Sequence, residues 1–216
     1  AALLASACAS APQAAPQQAP DRSQRPAVGE APDLTLPPIQ QFTLGNGMRV
    51  VLVEKRDLPL VQVNLQVNAG SVLDPADRPG LASLTAAMLD EGAAGMTSLQ
   101  IADAFEMLGA RFGVGAGTHT ASMTLRVPSP RLEEALRLAS TVMLRPDFPA
   151  HELDRLRKER LTSLVRRFDE PNAIMGVLFD QTLFGTQHPY GRSGIGTEAS
   201  LRALTVADLR AFYQRQ

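Results

Sequence analysis

Apolar and polar residues alternate without a break from Val61 to Val67, which predicts a strand burying Val61, Val63, Leu65 and Val67 on one face. Upstream, order is expected from about Gln41. The apolar runs beginning at Phe42 and ending at Val53 flank Asn46-Gly47, a strong short-range hairpin signal. Downstream the period changes. Turns at Asp74-Pro75 and Arg78-Pro79-Gly80 lead into a predicted helix over 80–92, with Leu81, Leu84, Met88 and Leu89 as its buried stripe and Gly92 as its stop. Thr97-Ser-Leu-Gln100 has the form of a capping box and opens a second helix, with Ile101, Phe105 and Leu108 inward.

Residues 112–127 read as a long strand or a bent strand pair. Ser129-Pro130 opens the next helix, with Leu132, Leu136, Leu138 and Met143 inward. Over 151–169, Leu153, Leu156, Leu161, Leu164, Val165 and Phe168 recur at helical spacing. Pro171 starts a helix reaching about Phe184, and Thr205-Val-Ala-Asp208 opens the last one. Strands first, then strands separated by helix pairs, without regular strand–helix crossovers, predict an α+β fold: mostly antiparallel sheet packed against several helices. No Gly-x-Gly-x-x-Gly opens a helix after a strand. Gly113, Gly115 and Gly117 instead alternate within a strand pattern, which means either close packing against a helix or bulge, or close approach of a bound peptide backbone.

Composition narrows the classes. With 216 residues, 44% hydrophobic and 20% charged, the chain can build one ordinary globular core. Its formal net charge of −1 gives no electrostatic case for nucleic acid. The basic cluster Arg155, Arg157, Lys158, Arg160, Arg166 and Arg167 is interleaved with Glu152, Asp154 and Glu159, and reads as a solvated helix face, with an acidic partner surface as the alternative. Residues 1–8 look like the tail of a secretory signal peptide. The single cysteine, Cys8, follows Ala5-Ser6-Ala7, which resembles a bacterial lipoprotein cleavage box. Lipid on Cys8 would tether an exported, periplasmic protein to a membrane; ordinary signal cleavage is the alternative. Residues 9–40, rich in Ala, Pro and Gln, read as a disordered linker about 30 residues long, able to reach on the order of 90 Å when extended.

The three histidines, His119, His151 and His188, are each more than 30 residues from the next, so no short two-histidine metal motif can be drawn. His151 reads as a solvated first-turn residue, His188 as part of a Pro/Gly turn, and His119 as part of a Thr-rich strand.

An ordered set of segments carries a resemblance. It comprises the hairpin, Asn68-Ala-Gly-Ser71, the helix from Gly80 to Gly92, Leu108-Gly-Ala110, Arg145-Pro-Asp-Phe-Pro149, and His188-Pro-Tyr-Gly191 with Gly194-Ile-Gly-Thr197. From Phe42 to Gln216 the chain resembles the N-terminal half-domain of the pitrilysin/insulinase-type metallopeptidases, whose zinc helix carries H-x-x-E-H. In that register the two histidine positions hold Ser83 and Ala87, and the general-base glutamate position holds Ala86. The family's distal Glu ligand falls at Ser163, with Leu164 as the one-residue alternative. Alanine has no lone pair, and a neutral hydroxyl is a poor zinc ligand.

The resemblance therefore implies a processing-peptidase-like half-domain at 41–216 that binds no cofactor itself, with zinc expected only in an active H-x-x-E-H partner subunit. It implies a degenerate, non-catalytic subunit of a heterodimer, completing the chamber and helping hold extended peptide along an edge strand at 113–126. Family members normally carry two such halves and a strand after the last helix, which implies that the sequence is truncated at both ends, the half-domain itself at its C-terminus. The alternatives are a tethered peptide-binding scaffold without a peptidase partner, and a peptidase whose active site lies in a further C-terminal half.

Overall fold

The computed structural model describes Gly29 and residues 37–216. The signal-like segment, Cys8 and nearly all of the expected linker lie outside the described residues. The chain divides into two units, one ending at Lys55 and one beginning at Arg56.

In the first unit, β1 (Ile39–Thr43) and β2 (Arg49–Val53) form an antiparallel hairpin in which Ile39 faces Val53 and Thr43 faces Arg49. Its first strand begins two residues before the sequence suggested. Gly47 takes a φ of +86° at the tip, a left-handed conformation that glycine adopts without a Cβ penalty, and Asn46 Oδ1 accepts the Met48 N–H at 3.1 Å.

The second unit is built on an antiparallel sheet of β3 (Leu60–Val67), β6 (Arg111–Ala116) and β7 (Ala121–Pro128), in the order β3–β7–β6. The expected alternation in β3 holds: Val61, Val63, Leu65 and Val67 are all half-buried. They share a face with Val127, Leu125 and Met123 of the central strand, opposite which they stand in register. The 112–127 region is thus a hairpin bent at 117–120, and His119 sits in its turn rather than in a strand.

Between the strands, a short 3₁₀ turn (Ser71–Leu73) leads to α1 (Leu81–Ala87). This helix is shorter than predicted, and Gly92 does not stop it. Met88 closes the last turn, and β4 (Gly92–Ala93) pairs with β5 (Met96–Thr97) in a small ribbon. Thr97 then caps α2 (Ser98–Met107) through the full capping box with Gln100.

After β7 follow α3 (Leu132–Leu144), α4 (Ala150–Arg166), α5 (Pro171–Phe184), α6 (Glu198–Ala203) and α7 (Val206–Arg215). On α3 the buried residues are Ala135, Ala139 and Val142 rather than the predicted leucines. Small side chains at i, i+4 and i+7 let the helix lie close on β7, while Leu132, Leu138 and Met143 flank the contact and Leu136 stays exposed. Likewise Val165 and Phe168, predicted inward, are exposed, whereas Leu153 is buried and Leu156, Leu161 and Leu164 pack partly.

The apolar interior has two clusters. One joins α2 and α3 to the sheet through Ile101, Phe105, Leu125, Val127 and Val142. The other surrounds α1 and gathers Leu81, Leu84, Met88, Leu153, Leu201 and Leu209. Full burial of each such side chain is worth about 1.5–3 kcal/mol, so α1 is held by its surroundings and not by its own two turns.

Candidate functional site

Seven residues are too few for a self-supporting helix, and α1 is fixed at its start from outside. At its start Asp74 is 5% exposed and accepts the N–H groups of Gly80 and Ala82, both at 2.8 Å. It supplies a remote cap where Gly80 has no side chain to give. Burial raises the Asp74 pKa, outweighing the opposing pull of those N–H bonds and of Arg192. Gly80 has a φ of +91°, and a Cβ there would stand 2.7 Å from the Ile195 carbonyl oxygen, so only glycine allows the 193–196 loop to close over this end.

Four apart on α1, Ser83 and Ala87 lie on its less buried face, while Ala86 is 3% exposed and points into packed surroundings. The Ser83 hydroxyl donates to the Gly194 carbonyl at 2.6 Å and accepts from Arg160 Nη1 at 2.8 Å. Arg160 Nη2 donates to the Ser83 carbonyl, also at 2.8 Å. Arg160 lies on α4 three residues before Ser163, so the two share a helix face, and Ser163 itself is exposed. Desolvation draws the Arg160 pKa below its ordinary value, opposed by the charge of Asp74.

The zinc that an H-x-x-E-H helix would hold does not fit these residues. Ala86 and Ala87 offer no donor atom, Ser83 has its hydroxyl engaged on two sides, and a guanidinium is hydrogen-bonded to it. A divalent cation at Ser83 would be repelled by Arg160. Among the described residues no group of three or more His, Cys, Asp or Glu side chains is placed to hold a metal ion.

Two of the histidines meet around one tyrosine. Tyr190 Oη lies 3.0 Å from His119 Nε2, while His188 Nδ1 accepts the Tyr190 N–H at 3.2 Å. His188 thus caps the turn Pro189–Gly191, the structural role expected of it. His151 is exposed at the start of α4.

The glycine stripe is not explained by close packing. A Cβ at Gly113 or Gly115 would meet nothing within 4 Å, and β6 is the last strand of its sheet. Gly117 differs from them. It lies past the strand end, its N–H donates to Thr120 and its carbonyl accepts from Ser71, so it has no backbone to offer a partner strand.

The basic face of α4 is only partly solvated. Arg157 donates to the carbonyls of Leu201 and Leu204 at 2.9 and 2.7 Å, closing the end of α6. Arg155 binds Glu91, Glu152 and Glu159, and these bonds raise its pKa further. From the sequence, Arg160 reads as part of a solvated basic face and Asp74 as part of a turn, which misses that both hold α1. The available signal was position: an acid in the turn just before α1, and a base one helical turn before the distal site.

Against known proteins, the family described as Insulinase (Peptidase family M16) matches residues 49–183. A curated relative, an uncharacterized zinc protease of Mycobacterium leprae, is 28% identical over 174 residues, covering 81% of this chain and 39% of its own length. A non-peptidase homologue, YmxG of Helicobacter pylori, is 23% identical over 161 residues, covering 74% of this chain and 37% of its own. Among solved structures, an inactive domain of peptidase M16 from Pseudomonas fluorescens is similar with a TM-score of 0.78 and 37% identity, over 82% of this chain and 43% of that one. The periplasmic protease PqqL of Escherichia coli shares the fold with a TM-score of 0.72 at 20% identity, over 82% of this chain and 20% of that one. The chain spans about two-fifths of the length of the curated relatives it matches.

Proposed function

Because the chain belongs to the insulinase family, peptidase family M16, we propose that it is a non-catalytic member that supports peptide handling by an active H-x-x-E-H subunit. One observation carries this reading. In the register of the family's motif the two histidine positions hold Ser83 and Ala87 and the general-base position holds Ala86, and Ser83 is hydrogen-bonded by Arg160. The relatives described as an inactive domain and a non-peptidase homologue support it.

The chain contributes the chamber wall and the exposed edge of β6, where extended peptide can add as a further strand through backbone hydrogen bonds. Gly113 and Gly115 leave the approach beside that edge open. Zinc and the activated water belong to the partner. Export to the periplasm, the compartment of the E. coli neighbour, with lipid on Cys8, completes the reading.

The test is hydrolysis of an internally quenched peptide by the full chain, alone and mixed with an H-x-x-E-H subunit of the same family. Turnover is expected in the mixture and not from this chain alone, and should exceed that of the active subunit alone. Zinc-dependent turnover by this chain alone would overturn the proposal.

A further inference from the structure

A cleft of about 460 Å³ opens between the β6–β7 turn, α5 and the 189–195 loop. We propose that it binds a carboxylate group. Arg167 and Arg192 both line it. Among the described residues Arg167 Nη1 reaches only the Ser193 hydroxyl, at 3.3 Å. Arg192 Nη1 donates to the Asp74 carbonyl at 3.0 Å, and its Nε is buried without a hydrogen-bond partner among the described residues. Neither guanidinium has a carboxylate within 4.0 Å among the described residues.

Asp180 also lines the cleft, so its ionised side chains, two arginines against one aspartate, sum to +1. Two planar guanidiniums with unused N–H groups suit the two oxygens of a carboxylate, and a phenol or a neutral amide uses such a pair less well. Ser71, Thr118 and Asn172 add neutral hydrogen-bonding groups around them.

The place matters as well. Gly194, whose carbonyl holds Ser83, and Gly117, which follows β6, both line this cleft. It therefore adjoins both the degenerate helix and the end of the open strand. That the carboxylate arrives on a peptide rests on the reading above; the carboxylate chemistry rests on the cleft alone.

Calorimetric titration of the full chain with N-acetylated alanine hexapeptides tests this. One carries a single glutamate and an amidated end, one glutamine in its place, and one is all alanine with a free C-terminus. The glutamate or the free-acid peptide should bind about tenfold tighter than the glutamine peptide, and whichever does identifies side-chain or terminal carboxylate as the ligand. Arg167→Gln, checked for an unchanged unfolding midpoint without ligand, should abolish that preference and leave binding of the glutamine peptide as it was. Glutarate, compared with chloride at equal ionic strength, should raise the unfolding midpoint of the natural chain and not of Arg167→Gln.

Equal affinity for the charged and neutral peptides, or a preference that survives Arg167→Gln, would overturn the proposal. Glutarate stabilisation without any peptide binding would uphold the carboxylate site and defeat the peptide reading. Loss of both defeats the site itself.

Discussion

Removing the Arg160 fork should loosen α4 from α1, and the geometry sets the size of the effect. Two N–H groups of a charged donor reach Ser83 at 2.8 Å, one to the hydroxyl and one to the carbonyl. Hydrogen bonds to charged groups contribute about 1.5–3 kcal/mol each, a gross gain of about 3–6 kcal/mol. Burial opposes this, as the lowered pKa of Arg160 indicates. Arg160→Ala is therefore expected to destabilise the chain by about 2–4 kcal/mol.

Ser83→Ala removes the hydroxyl bonds to Arg160 and Gly194 and leaves the carbonyl bond in place. A double-mutant cycle isolates the pair and should give a coupling of about 1–2 kcal/mol. Urea unfolding followed by far-UV circular dichroism provides the four values, compared at constant slope. A coupling below about 0.3 kcal/mol, where independent sites simply add, would refute the claim that this pair ties the helices together.

Other expectations follow from single features. Gly80→Ala combines a left-handed φ with a Cβ 2.7 Å from a carbonyl oxygen, and should cost more than the roughly 1–2 kcal/mol of the conformation alone. Gly113→Ala, with open space, should change thermal stability by less than about 1 kcal/mol; equal losses at the two sites would contradict the reading of both. Thr97→Ala should lose about 1 kcal/mol in a denaturant titration by removing the α2 capping box. Asp208 accepts from Thr205 and pairs with Arg78, and although partial burial raises its pKa, these partners bring it below the ordinary value of 3.8. Because the folded value is the lower one, its stabilisation is complete above pH 3.8 and fades as pH falls through the folded value. Asp208→Asn should thus cost about 1 kcal/mol at pH 7, with the deficit closing in strong acid; a deficit independent of pH would contradict this.

Local signals in the sequence carried the elements well. Asn46-Gly47, Thr97 with Gln100 and Thr205 with Asp208 each mark a turn or helix start through bonds closed within a few residues, and Pro171 marks one through its fixed φ. Patterning was weaker where tertiary distance decides burial. On α3 the contact surface is made of Ala135, Ala139 and Val142, since a helix lying close on β7 has no room for leucine there. Val165 and Phe168 fit the helical spacing of 151–169 yet are exposed, Phe168 lying past the end of α4.

The candidate site divides in the same way. Absence of metal donors on α1 is visible in residue types, because alanine cannot coordinate under any fold. What replaced them was not visible. Ser83 and Arg160 are separated by 77 positions, and one arginine among several on a charge-rich helix carries no mark that distinguishes a structural fork from a solvated side chain.

The most direct test of the central claim is zinc stoichiometry. The full chain, incubated with excess zinc, freed of unbound metal and measured by mass spectrometry alongside its protein concentration, should retain far less than one zinc per chain. Retention of one zinc per chain, released by a chelator and accompanied by chelator-sensitive peptide hydrolysis, would contradict the account.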